Sequence, residues 1–344
     1  MGMTRLDFVN GMTADLHTWY WEGGETFYKS YQKQYTDLAD VRSIKEIKGA
    51  FYKTTSAVGA QELDDLDEYG VAKQDRPMDG YSVYALKKAK AIVIDVPRLI
   101  SRDWHRTADF LKSYMKENGT KMVENTKEKI VSNLYLQAGV TAGHAVFNQD
   151  SGDANLTTGY TSFIYDGKPW AVLTGNNHTA KDANTYFNAV ALSTTSPSGQ
   201  ANGVTYANAL TMWNRLTVTN AKMENGRPFD IEQMGISIVC NKSAKPDWEV
   251  VNNSTLNPDN AENAINPLKG MFKKIVGSPY ITTPTQSVMY VKDGLVVFFS
   301  EPQFEFWETK NPNVFHAQII LDYAIFVKNF RLAMFNNAST TAVA

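Results

Sequence analysis

Between two strand-like runs, at 47–58 and 81–95, the chain carries about twenty residues that cannot bury themselves, and no small closed fold accommodates them. Glu62, Asp64, Asp65, Asp67 and Glu68 come in quick succession and are followed by Lys73, Arg76 and Pro77. Two strands around such a segment make a long hairpin. An excursion of this length in a compact domain is a functional loop, a floppy acidic surface loop or a disordered segment.

The first 45 residues pose the opposite problem, an excess of aromatic surface. Trp19, Trp21, Tyr28, Tyr31 and Tyr35 stand among polar residues, with Gly23-Gly24 as an expected break. Tyr28, Tyr31 and Tyr35 are spaced to share one helix face that must cover something. Either a terminal helix docks on its own core, or an arm packs on a neighbouring subunit.

After Pro97 the apolar spacing becomes helical, from Trp104 through Leu111, Met115 and Ile130 to Ala138. A helix over 102–137 would measure ~50 Å. Asn118-Gly119 in its middle marks a bend or break, and Ala at 119 is expected to add up to ~1 kcal/mol of helix propensity. The helix carries a modest cationic surplus, read as a solvated face. Further on, a helix is expected from Tyr206 to about Met223 and a buried strand at 235–240. A hairpin at 287–300 is expected to turn at Lys292-Asp293-Gly294, and two last strands at 315–321 and 324–332 to turn at Asp322-Tyr323.

Charge then removes whole classes of function. Of 344 residues, 34 are Lys or Arg and 36 are Asp or Glu, a net charge of −2, so a general nucleic-acid binder is not expected. One cysteine excludes an internal disulfide, and no cationic and apolar leader opens the chain, so a reducing cytoplasm is the expected folding compartment. No run approaches ~20 apolar residues, so no membrane span is expected.

Catalytic signatures are equally sparse. His17, His105, His144, His178 and His316 are scattered without metal-ligand spacing, and there is no GxSxG, Walker A or GxGxxG pattern. No metal, cofactor or catalytic residue is expected. Two enzyme-like or binding alternatives stay open: a cytosolic hydrolase using Cys240 with His144 or His178, or a carboxylate pair such as Glu301 and Glu305, and an aromatic-rich ligand-binding module. Cys240 ends an apolar strand, where cysteine is more often a small core residue. The residues alone therefore describe an α+β protein built for assembly, with an arm, a projecting hairpin and a long helix.

The order of several motifs resembles that of the major capsid proteins of tailed double-stranded DNA bacteriophages, with their Hong Kong phage-type fold. The motifs are Asp166-Gly167-Lys168-Pro169-Trp170, Asn176-Asn177-His178, Asn188-Ala189-Val190-Ala191-Leu192-Ser193, Asn225-Gly226-Arg227-Pro228, and Asn266-Pro267-Leu268-Lys269-Gly270 with Ile275 to Tyr280. The resemblance covers essentially the whole chain. It implies an N-terminal arm (1–45), an E-loop hairpin (46–95), a peripheral domain with a spine helix (96–140 and 309–344) and an axial domain with a central sheet (141–308).

It also implies a non-enzymatic subunit of an icosahedral head, assembled in the host cytoplasm into hexamers and pentamers that enclose double-stranded DNA. Intersubunit contacts are then expected from Glu62, Asp64, Asp65, Asp67, Glu68, Lys73 and Arg76 in the E-loop, and from Trp19, Trp21, Tyr28, Tyr31 and Tyr35 in the arm. Asn118 and Gly119 would be the hinge of the spine. Implied partners are further copies of the chain, a separate scaffolding protein, a portal, a decoration protein and packaged DNA held by weak non-specific contact. Lys73 is the only lysine between Lys53 and Lys87, and its acidic neighbours favour the charged, unreactive amine, so a non-covalent shell is expected. An encapsulin-like bacterial compartment is the alternative on the same architecture.

Overall fold

Two mixed five-stranded sheets flank one long helical rod, and the chain passes between the sheets several times. The structure, a computed structural model, describes residues 5–27, 33–45, 51–55, 82–86, 88–97, 99–101, 103–136, 138, 170–175, 177–179, 185–192, 202–222, 226, 228–256, 265–309 and 314–337. The chain begins with α1 (Arg5–Phe27), a single turn α2 (Tyr35–Leu38) and β1 (Asp40–Ile44). Phe8, Met12, Leu16 and Tyr20 recur every fourth residue of α1 and are all buried, so this face is what docks the helix. Of the two readings of the N-terminus, residues 5–27 follow the first, a helix docked on its own chain.

β2 (Phe51–Thr55) and β3 (Ser82–Leu86) pair antiparallel, Phe51 opposite Leu86 and Thr55 opposite Ser82, and β4 (Lys88–Asp95) follows directly. They form the base expected for the hairpin. The rod is α3 (Trp104–Tyr114), a π-helical turn at Met115–Gly119, and α4 (Thr120–Leu136). Asp103 caps it by accepting the backbone N–H groups of His105 and Arg106. Asn118-Gly119 does not break the rod. Those residues close the π turn, and the helix continues.

The second half brings β5 (His178–Thr179), β6 (Thr185–Tyr186), β7 (Ala189–Val190) and α5 (Tyr206–Asn214), which runs on as a second π turn at Arg215–Thr219. The helix expected to reach 223 stops at Asn220, whose N–H closes on the Arg215 carbonyl while its side chain donates to the Phe187 carbonyl at 2.9 Å. β8 (Ile236–Asn241), α6 (Lys245–Asn253), β9 (Ile275–Ser278), β10 (Ser287–Val291), β11 (Leu295–Ser300), β12 (Gln303–Thr309), β13 (Val314–Val327) and β14 (Ala333–Asn336) complete the order.

The first sheet contains β1, β4, β11, β12 and β13, and the second runs β7-β14-β10-β8-β9. The expected hairpin at 287–300 is therefore absent, because β10 and β11 lie in different sheets. Both strands are buried at every position, so each is an inner strand packed on both faces. Between them Gly294 turns the chain where a Cβ would come 2.8 Å from the Leu332 Cβ.

The expected turn at Asp322-Tyr323 is also absent. β13 is one continuous strand, because β11 and β12 follow each other along one of its edges and β4 lines the other. Residues 300–302 stand opposite only 321–322, a bulge that accommodates Pro302. These pairings also redraw the expected domains. β11 and β12 belong with the rod-covered sheet and β14 returns to the second, so the boundary expected at 308/309 cuts through β12.

Candidate functional site

Backbone meets backbone where α1 crosses the rod. A Cβ on Gly23 would stand 2.3 Å from the Lys116 carbonyl oxygen and 2.7 Å from its Cα, so only glycine permits the approach. The expected Gly23-Gly24 break is a close-packing site inside an unbroken helix. Around it Thr120 Oγ1 donates to the Tyr20 carbonyl at 3.2 Å, and Lys116 Nζ reaches Glu22 at 2.6 Å. The Lys116 hydrogen bond holds the Glu22 carboxyl below its ordinary value. Aromatic rings fill the rest of the contact: Phe8 stacks on Trp104 at 5.5 Å and meets Phe315 edge-on at 5.5 Å.

The other end of the rod is held by buried polar groups. Tyr35 donates its hydroxyl to Glu124 at 2.6 Å, and Lys127 Nζ donates to the same carboxylate at 2.9 Å. Burial opposes the charge of Glu124, but Lys127 and the Tyr35 hydroxyl outweigh it and the carboxyl titrates below its ordinary value. Tyr135 donates to the Leu38 carbonyl at 2.6 Å and Tyr290 to the Asp37 carbonyl at 3.1 Å. Burial pushes both phenols up, which keeps them protonated as donors. Gln286 Nε2 satisfies the Tyr135 and Leu136 carbonyls at 3.0 and 2.9 Å, closing the rod's C-terminal end against the second sheet.

The expected site residues are distributed unevenly over this frame. Glu62, Asp64, Asp65, Asp67, Glu68, Lys73 and Arg76, together with Tyr28 and Tyr31, lie outside the described residues. Trp19 packs half-buried on the first core, and Trp21 is 40% exposed with its Nε1–H donating to His17 Nε2 at 3.0 Å. Tyr35 is corrected: it is a core residue of its own chain, 3% exposed, and offers no ring to a neighbour. Asn118 and Gly119 sit together in the π turn beside α1. Glu124, Tyr135, Gln286 and Tyr290 are not singled out by the sequence; Gly23 is, but as part of a break.

The alternative chemistries find little support. Burial drives the Cys240 thiol up to about 12, and its sulfur faces the Val276 carbonyl at 3.8 Å, the setting of a core residue and not of a thiolate nucleophile. Glu301 and Glu305 are both exposed, without the burial by which a carboxyl is made a general acid. No group of three or more metal-ligating side chains occurs among the described residues, and no described helix is long and apolar enough to cross a membrane.

No protein-family model matches the sequence, and no characterised protein matches it at the sequence level. Solved structures do match in fold. The capsid of an empty GTA particle superposes with a TM-score of 0.51 at 7% identity, covering 89% of this chain and 90% of that one. The chain has the tailed-phage major capsid fold. Mycobacterium phage Che8 matches at 13% identity and a TM-score of 0.45, over 89% of this chain and 92% of that one. A virus-like particle from Pyrococcus furiosus matches at 10% identity and 0.45, over 94% and 98%.

The remaining candidate for a site is exposed apolar surface. On the second sheet, large apolar side chains stand exposed toward both ends of the strand order. Val250, Leu256, Ile265 and Met271, at 50%, 43%, 79% and 44%, gather around α6 beside β9. Here Leu256 and Ile265 are bridged, and the Gly270 and Phe272 N–H groups donate to the carbonyl and side-chain oxygens of Asn252. Val218, 69% exposed, stands on the π turn that packs at the β14 side.

Proposed function

We propose that this chain is a major capsid protein that assembles into hexamers and pentamers of an icosahedral phage head enclosing double-stranded DNA. The observation that carries the reading is the fold, since the chain superposes along most of its length on a subunit of a particle capsid. The exposed apolar group around α6, beside β9, supports it, because a cluster of large apolar side chains left exposed on one subunit marks a contact surface. A near-neutral charge suits an enclosure that must let DNA move.

In this reading the loop between β2 and β3 reaches a neighbouring copy, using its acids Glu62, Asp64, Asp65, Asp67 and Glu68 with Lys73 and Arg76, and α1 contributes Trp21. The rod is the spine helix, with its hinge at Asn118-Gly119. A separate scaffolding protein, a portal and a decoration protein are the further partners, and the virion is the location. Many modest contacts suffice, because a ~1,600 Å² interface repeated around a closed shell gains by avidity. Electron microscopy of the purified full-length chain tests the reading. Closed shells or capsomers are expected; a monodisperse monomer at high concentration contradicts it, and shells that co-purify with a protein cargo instead of nucleic acid favour the encapsulin-like alternative.

A further inference from the structure

The same rod touches both sheets, yet the two sheets are bound to it differently. α4 is joined to the second sheet by Gln286 at the Tyr135 and Leu136 carbonyls and by the buried Ser278 to Ser132 hydroxyl pair at 2.8 Å. α1 instead covers the first sheet through rings, Phe8 on Phe306 and Phe315 and Tyr20 on Phe304, and α3 stacks Trp104 on Phe8. One apolar core continues under both sheets, including Val239, Val288 and Tyr290 from the second and Val297 and Phe299 from the first. Apolar contact is non-directional, so this core favours closeness without fixing an angle.

Residues 33–45 supply the directional part. In the one-turn α2, the carbonyls of Asp37 and Leu38 are bonded by tyrosines from two different elements, Tyr290 of β10 and Tyr135 of α4. Tyr35 reaches Glu124 of α4, and Lys274, just before β9, forms an ion pair with Asp37. The following five residues are β1, paired in parallel with β11 from Asp40 opposite Val296 to Ile44 opposite Ser300.

We propose that α2 and β1 (residues 35–44) form a latch that sets the angle between the two sheets. Its first turn is fastened to the rod and the second sheet by side-chain hydrogen bonds, and its strand to the first sheet by a ladder. Releasing the turn frees the first sheet, with α1, to pivot at the π turn of the rod. The inference concerns the single subunit and stands independently of whether the chain builds shells.

The test uses the full chain with cysteines placed at the exposed positions Asp109 and Glu249, one in α3 and one in α6, and spin-labelled; the buried Cys240 takes no label while the protein is folded. Deleting the hydroxyls in Y135F/Y290F keeps both rings. The expected result is a second population in the label-to-label distance, with amides of 36–44 exchanging at least about tenfold faster while those of β14, 333–336, are unchanged. A single unaltered distance, or exchange that quickens equally at 333–336, overturns the latch. If the double variant does not fold, Y290F and the surface change K274A are read by the same two criteria.

Discussion

Along α3 and the π turn, the rod is held by shape: a glycine lets two backbones touch and rings fill the remainder. Along α4 it is held by buried polar groups: a carboxylate takes a phenol and an ammonium, and two further phenols and an amide donate to backbone carbonyls. The contrast predicts two kinds of fragility. A shape contact with backbone on both sides has nothing that can yield, so one added atom defeats it. A network gives way bond by bond, and one that contains a charge also answers to pH.

Gly23→Ala should be the harshest single change. The new methyl meets the Lys116 backbone, so α1 must lift and expose Phe8, Met12, Leu16 and Tyr20, at a cost of about 3 kcal/mol. Urea denaturation measures this, and early proteolytic cleavage within 5–27 should accompany it. A loss below about 0.5 kcal/mol would mean that the helix tolerates a shifted docking and that shape is not what holds it.

Glu124→Gln should cost less, about 2 kcal/mol at neutral pH, since charge-assisted bonds from Tyr35 and Lys127 are weakened while the side chain keeps its size. The folded carboxyl titrates below its ordinary value of 4.5, so the unfolded chain takes up the proton first. Its contribution is complete above about pH 4.5 and is lost as pH falls below that value. Unfolding curves from pH 7 to 3 should therefore converge for the parent and the Gln variant. Parallel curves would show that the network does not depend on this charge.

Gly119→Ala probes the seam between the two regimes and should have the smallest effect, within about 1 kcal/mol of zero. Helix propensity favours alanine by about that amount. The structure revises the simple gain read from the sequence, because the methyl would meet Met115 Cε at 3.2 Å and Tyr20 Cδ2 at 3.3 Å. Thermal melts of this variant, of Met115→Ala and of the double variant form a cycle: if crowding is the offset, Gly119→Ala should be more favourable in the Met115→Ala background than in the parent.

The same contrast explains what the sequence made legible. The rod was visible because Leu111, Met115, Ile130 and Leu134 repeat at helical spacing, and β8 because its apolar run is short and bounded. The pairing of β10 and β11 was not. Strands buried on both faces show no alternation, and nothing local says that the turn at Lys292–Gly294 leads into another sheet. Asp322-Tyr323 looked like a turn by composition, yet the Asp322 N–H donates to Ser300 Oγ and the Tyr323 ring packs in the core, so tertiary contacts keep the strand straight. Gly23 was visible, but whether a glycine ends a helix or admits a neighbour depends on Lys116, 93 positions away. The buried network was illegible for the same reason, its partners being separated by 89, 97 and 253 positions.

We propose that the loop between β2 and β3 serves neighbouring copies and not the subunit's own fold. Replacing residues 59–79 with a short turn between β2 and β3 tests this most directly, with unfolding free energy and electron microscopy measured on the same preparation. The account predicts a subunit as stable as the parent, to within about 1 kcal/mol, that builds no shells. Shells of normal size from that variant would contradict it.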